Sequence, residues 1–298
     1  MERTDTTQQN LLSADELVSG VVRLVSLPEV CIRVNEMLED PNVTAKAIGK
    51  VMSQDTGLTA RLLKIVNSSF YGFTSKIETV SRAVTVIGLR ELRGLVLAAS
   101  AIETFSKIPT DILNMVRFWR HSVYCGVVAQ LLAERCNVLH SERLFVAGLL
   151  HDIGKLVICN RLPAQARQAI ELSETRKIFD FEAEQDVMGY DHSEIGGKLL
   201  RSWQMPTSLC DAVEFHHVPL QAQDSLMETC IVHIANAMTG MAEQGLDADM
   251  DILIQPVLDE AWKVTGLDES IIEPTLLQAG PLFTEALESI LPRSYQPY

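Results

Sequence analysis

The sequence predicts an all-α, two-lobed protein whose ligand chemistry is confined to the second lobe. Three observations predict it. Apolar residues recur at helical spacing from Ala14 onward, alternating strand runs are absent, and all seven histidines lie beyond position 120. Val and Ile do occur, but beside Leu, Ala, Arg and Glu and at a helical period.

Residues 1–14 are expected to form a polar leader and 15–110 a first helical lobe. Pro28 opens a helix, PEVCIRVNEMLED, that stops before Pro41. Thr44 is placed to cap TAKAIGKVMSQD, and LTARLLKIVNSSF follows as a third helix. Asn67-Ser68-Ser69 caps and turns that helix into a loop, YGFTSKIETVS. SRAVTVIGL and RELRGLVLAASAIETF complete the lobe near Pro109.

The second lobe spans 111–298. Its helices begin with ILNMVRFWRHSVYCGVVAQLLAERC and SERLFVAGLLHDIGKLVICN, followed by a partly polar stretch from Pro163 to Lys177. DHSEIGGKLLRSW, TSLCDAVEFHH and SLMETCIVHIANAMTGMA come next. Asp191 with Glu194 has the capping-box spacing, and Gly196-Gly197 inside a helix predicts close helix packing. Phe118, Trp119 and Trp203 are expected in the core. The tail from Asp247 is expected to pack and cap, with no ligand character.

A net charge of −14 with no basic run excludes an electrostatic footprint for nucleic acid or anionic lipid. No window reaches the roughly eighteen apolar residues of a membrane span. Six scattered cysteines without CxxC spacing predict reduced core thiols in a cytoplasmic protein.

The chemistry centres on LFVAGLLHDIGKLVIC, residues 144–159. It sets His151 and Asp152 side by side in an apolar segment that reads as one buried helix, with the pair about 100° apart. A buried carboxylate is costly unless it is paired or bound to metal. His121, His192, His216 and His217 fall at helix positions beside apolar runs and add imidazole donors. Together they predict a site for one or two divalent ions such as Fe, Mn or Zn. His140 is expected at the surface and His233 in the core.

The order His121, His151-Asp152, His192, His216-His217, Asn236 resembles the metal-ligand series of the HD superfamily of phosphohydrolases, and HDIGK (151–155) is similar to that superfamily's signature. Residues 55–72 and 75–98, with Leu27-Pro28, resemble the HDOD family just as specifically. The resemblance covers residues from about 20 to 240. It implies a two-lobed bacterial signalling output domain that works through a protein partner or a nucleotide ligand. It also implies His121, His151, Asp152, His192, His216, His217 and Asn236 as metal ligands. The chain departs from the related HD-GYP cyclic-di-GMP phosphodiesterases at three places. Asn236 replaces their Asp, VPLQAQ follows His217 in place of a GYP loop, and Arg117 stands where some carry Glu. The first expectation is therefore a regulatory domain with an HD-type metal site. The alternative is a metal-dependent phosphohydrolase acting on a cyclic dinucleotide or nucleotide, with Asp152 and Lys155 as its catalytic residues.

Overall fold

The computed structural model describes residues 12–24, 29–40, 42–68, 71, 73, 75–105, 111–246 and 253–291. Every regular element among them is helical, as predicted. The start of the polar leader, Leu27-Pro28, Ser69 and the lobe boundary near Pro109 lie outside the described residues.

The N-terminal part contributes α1 (Ala14–Leu24), α2 (Glu29–Met37), α3 (Ala45–Met52), α4 (Thr56–Val66), α5 (Val80–Ile87) and α6 (Leu89–Phe105). Side-chain caps set three of these starts. Thr44 accepts from Ala47 N, Asp55 from Leu58 N and Thr79 from Arg82 N. Asn67 does more than end α4. Its amide accepts from Ile77 N and donates to Ile77 O, both at 2.7 Å, and so clamps the loop before α5. Leu58, Leu62, Leu92 and Ile102 are fully buried where these helices meet.

The C-terminal part contributes α7 (Met115–Arg135), α8 (Glu142–Leu150), α9 (Ile153–Arg161), α10 (Pro163–Arg176), α11 (Asp180–Met188), α12 (His192–Ser202), α13 (Thr207–Glu214), α14 (Leu226–Leu246), α15 (Asp259–Thr265) and α16 (Ile272–Ile290). Helices α7, α8 and α14 pack on one another around the buried Trp119, and α12 packs against α9 and α13. The two ends of the chain cross between the parts. Helix α1 lies on α9 and α12, held by Asp15–Lys198 at 2.6 Å and by Tyr190 Oη donating to Leu12 O at 3.1 Å. Helix α16 reaches α4, where Lys64 Nζ donates to Glu288 O.

The structure corrects four expectations. The segment expected as one helix through His151-Asp152 is two helices, α8 and α9, and the pair occupies the turn between them. His151 Nδ1 donates to Gly148 O at 2.7 Å, engaging a carbonyl from the last turn of α8. Helix α11, unforeseen after Lys177, begins at Asp180 and stops at Gly189, whose φ of 84° suits glycine. The Asp191–Glu194 box is half formed. Asp191 Oδ1 accepts from Ser193 N and Glu194 N, whereas the Glu194 carboxylate lies 3.8 Å from Lys198 Nζ. The tail does not merely pack, because Gln255 enters the site described next.

Candidate metal centre

All seven predicted donors converge where α7, α9, α12 and α14 face the turn after α13. His121 projects from α7 and Asn236 from α14, His192 opens α12, and His216-His217 follow α13. The α8–α9 turn delivers His151 and Asp152. Gly154 makes this convergence possible. A Cβ there would sit 1.9 Å from His192 O, so no side chain fits between the start of α9 and the start of α12.

Each of the five imidazoles is braced through Nδ1 by an oxygen acceptor. His151 uses Gly148 O at 2.7 Å, His216 uses Val213 O at 2.7 Å and His217 uses Gln255 Oε1 at 2.8 Å. His192 uses Glu184 Oε2 at 2.6 Å and His121 uses Glu243 Oε2 at 3.1 Å. This pattern fixes the ring orientation and leaves Nε2 as the inward atom, the usual arrangement for metal-binding histidines. His192 Nε2 lies 3.0 Å from both His217 Nε2 and Asp152 Oδ1. His216 Nε2 is 3.9 Å from Asp152 Oδ1, and His151 Nε2 is 3.5 Å from Asp152 Oδ2. Asp152 therefore stands between two groups of donors, His192–His216–His217 on one side and His121–His151 on the other.

The donor set fits a divalent cation. His151 Nε2 and His216 Nε2 are buried without a hydrogen-bond partner. Orphaned buried polar atoms are costly, and two imidazole nitrogens converging beside a buried carboxylate call for a shared positive charge. Separations of about 3–3.5 Å between donor atoms also match the edges of a coordination shell with metal–ligand bonds of about 2.1 Å.

The electrostatics agree. Burial alone would raise the Asp152 carboxyl, but His151, Lys155 and His192 outweigh it and hold the group well below the usual range. Burial lowers His151 to about 4 despite Asp152 beside it. Burial and neighbouring imidazoles also hold His216 and His217 well below the ordinary value. His192 behaves oppositely. Glu184 and Asp152 overcome its burial and push it up to about 10.

A cavity of about 470 Å³ opens beside the cluster. Lys155 lines it, with Nζ 3.0 Å from Asp152 Oδ2 and 3.6 Å from Asp180 Oδ2. Arg117, Phe179 and Phe181 line it too, and Phe181 stacks on His217 at 4.1 Å between ring centroids. His233 is structural as expected, since Nδ1 donates to His216 O and Nε2 accepts from Leu258 N. His140 stays at the surface, near Glu142.

Sequence reasoning missed Glu184, Glu243 and Gln255. Glu184 was legible in part. It lies beside Ala183 in the middle of α11, and a glycine follows that helix. Gln255 sits in an irregular stretch with no periodicity to single it out, and only the fold brings it to His217.

Known proteins share the sequence pattern and the fold. The family model of the HDOD domain matches residues 24–219. An HDOD domain protein of unknown function from Geobacter sulfurreducens is similar in structure, with a TM-score of 0.70 and 25% identity over 93% of this chain and 98% of that one. A provisionally named phosphohydrolase from Shewanella amazonensis shares the fold, with a TM-score of 0.71 and 23% identity over 92% and 97% of the two chains. An uncharacterized protein of Treponema pallidum is 26% identical over 213 residues, which is 71% of this chain but only 40% of that longer protein. With about two-thirds of its length matched by one family model, the chain belongs to the HDOD domain family.

Proposed function

We propose that this protein is a signal-transduction domain whose C-terminal part holds one or two divalent ions, Fe, Mn or Zn. It acts by engaging a protein partner or a small ligand at the cavity beside them. One observation carries the reading. Five imidazoles are braced through Nδ1 by oxygen acceptors and converge on a buried Asp152, with His151 Nε2 and His216 Nε2 left unsatisfied. A histidine-rich core built for packing alone would not leave those atoms orphaned. His121, His151, Asp152, His192, His216, His217 and Asn236 would be the ligands. The neutral amide of Asn236 contributes an oxygen but no charge.

The phosphohydrolase reading draws on a different observation, the cavity lined by Lys155 and Arg117 beside the cluster. Bound divalent ions supply Lewis acidity and lower the pKa of coordinated water. Lys155 would hold a phosphate oxygen while Asp152 keeps its ammonium in place, and Phe179 and Phe181 would exclude water from one wall.

The deciding experiment is metal content per chain of tag-free protein purified without chelators, beside His151→Ala and Asp152→Ala variants. One or two equivalents, lost in the variants, support the proposal. No metal under anaerobic, metal-replete conditions overturns it. Turnover of nucleotides or cyclic dinucleotides by the loaded protein, abolished in Lys155→Ala at unchanged metal content, would establish the hydrolase.

A further inference from the structure

Only two of the five imidazoles are braced by a carboxylate. Glu184 stands behind His192 and Glu243 behind His121, while the other three rest on the neutral oxygens of Gly148, Val213 and Gln255. The two carboxylate-braced rings lie in different donor groups, one on each side of Asp152. On the His121 side every donor other than Asp152 itself is uncharged in its ligating form: His121, His151 and Asn236.

Asn236 makes that side weaker still. Its Oδ1 faces His121 Nε2 at 3.1 Å, and Nδ1 of the same ring is taken by Glu243 at 3.1 Å. An amide oxygen and an imidazole nitrogen in contact need a proton or a cation between them. Asn236, Gly240 and Glu243 are spaced i, i+4 and i+7 along α14, which puts them on one face, and all three line the cavity. At Gly240 an added Cβ would lie 3.3 Å from Ile254 Cγ1, so the glycine lets Ile254 pack close to this face between amide and carboxylate. Glu243 is thus about two turns from the amide and touches the ring that the amide touches.

We infer that Glu243 is a positioning residue that supplies, through His121, the negative charge Asn236 lacks, and that the His121 side is the weaker and more readily emptied of two cation positions. The inference rests on the metal-centre reading above. A carboxylate accepting the Nδ1 proton makes Nε2 a better donor and fixes its direction. The His192 side has that support from Glu184 and adds two further imidazoles, so it fills first.

The test uses the full chain, stripped with a chelator and reloaded anaerobically with Mn²⁺, with ions bound per chain measured by equilibrium dialysis. Wild type is compared with Glu243→Gln and with the double variant Glu243→Gln/Asn236→Asp. The tighter loading step should be unchanged in Glu243→Gln, and the weaker step should lose about 10- to 100-fold in affinity. The double variant should recover it, because a carboxylate then stands at position 236 itself. A role limited to packing would not be rescued from a different position. Loading by Glu243→Gln indistinguishable from wild type overturns this inference and leaves the metal centre standing. Wild type that takes up no Mn²⁺, Fe²⁺ or Zn²⁺ overturns both.

Discussion

The two parts of this molecule spend their interiors differently. Among the described residues, the core formed by α2–α6 buries Leu, Ile, Val and Ala, and its fully buried polar side chains are few, Ser100 chief among them. The α7–α14 part buries His151, Asp152, Glu184, Asp191, Asp211 and several further histidines. Apolar cores are stabilised by area removed from water, about 25 cal/mol per Å². A buried polar cluster gains little net stability and persists where each member is satisfied or serves a ligand. The difference teaches where to look: the N-terminal part is built to pack, and the C-terminal part tolerates an expensive interior for the sake of a site.

Perturbing each part should break or sharpen that contrast. Asp152→Ala should have the largest effect. It removes the anion that holds Lys155 and the surrounding imidazoles, and should abolish metal uptake and destabilise the chelator-stripped protein by about 3–5 kcal/mol in urea unfolding. Retention of metal by this variant would refute the role given to Asp152. Leu62→Ala, in the apolar core, should cost about 2–5 kcal/mol and leave metal content unchanged. If metal were lost as well, the two parts would not be separable in this way.

Acid should act on the site before the apolar core. His151, His216 and His217 are held neutral below their ordinary pKa, His151 down to about 4. Between pH 6.5 and 4 the unfolded chain binds protons there that the fold does not, so stability of the stripped protein falls as pH drops through that window. His192, raised to about 10, has the opposite sign: its contribution is complete below pH 6.5 and fades as pH rises through 10. A pH series of melting temperatures checks both, and His151→Gln should flatten the acid limb.

Gly154→Ala should cost about 1–3 kcal/mol, because its methyl group meets the His192 carbonyl; metal affinity should drop with it. The smallest effect is expected for Thr79→Ala, about 1 kcal/mol from a lost cap far from the cluster, with metal uptake intact.

Much of this was legible in the sequence, for identifiable reasons. Helical periodicity and cap residues such as Thr44 are local signals, and local signals survive in one dimension. Gly196-Gly197 predicted close packing, and a Cβ at Gly197 would indeed lie 2.4 Å from Glu214 Cβ. The histidines were legible as a set because their residue type is rare and their neighbours apolar. What braces them was not. Glu184, Glu243 and Gln255 are ordinary surface-type residues whose role depends on which helix ends where. The break at His151-Asp152 was hidden for a related reason: His151 is still helical and only Asp152 leaves that region, at φ −98° and ψ 8°, amid apolar residues that continue the same pattern on both sides.

Helix α12 begins with His192 and, two turns along, carries Lys198, the residue that fastens α1 through Asp15. About 9 Å of one stiff rod separates the fastening from the donor. A shift of α1 against α12 would act on the far end of that rod. Because His192 Nε2 sits 3.0 Å from two other donor atoms, even a small tilt would be felt there as a change in spacing. Helix α1 and the donor cluster are in this sense two ends of one lever, with α12 as its arm.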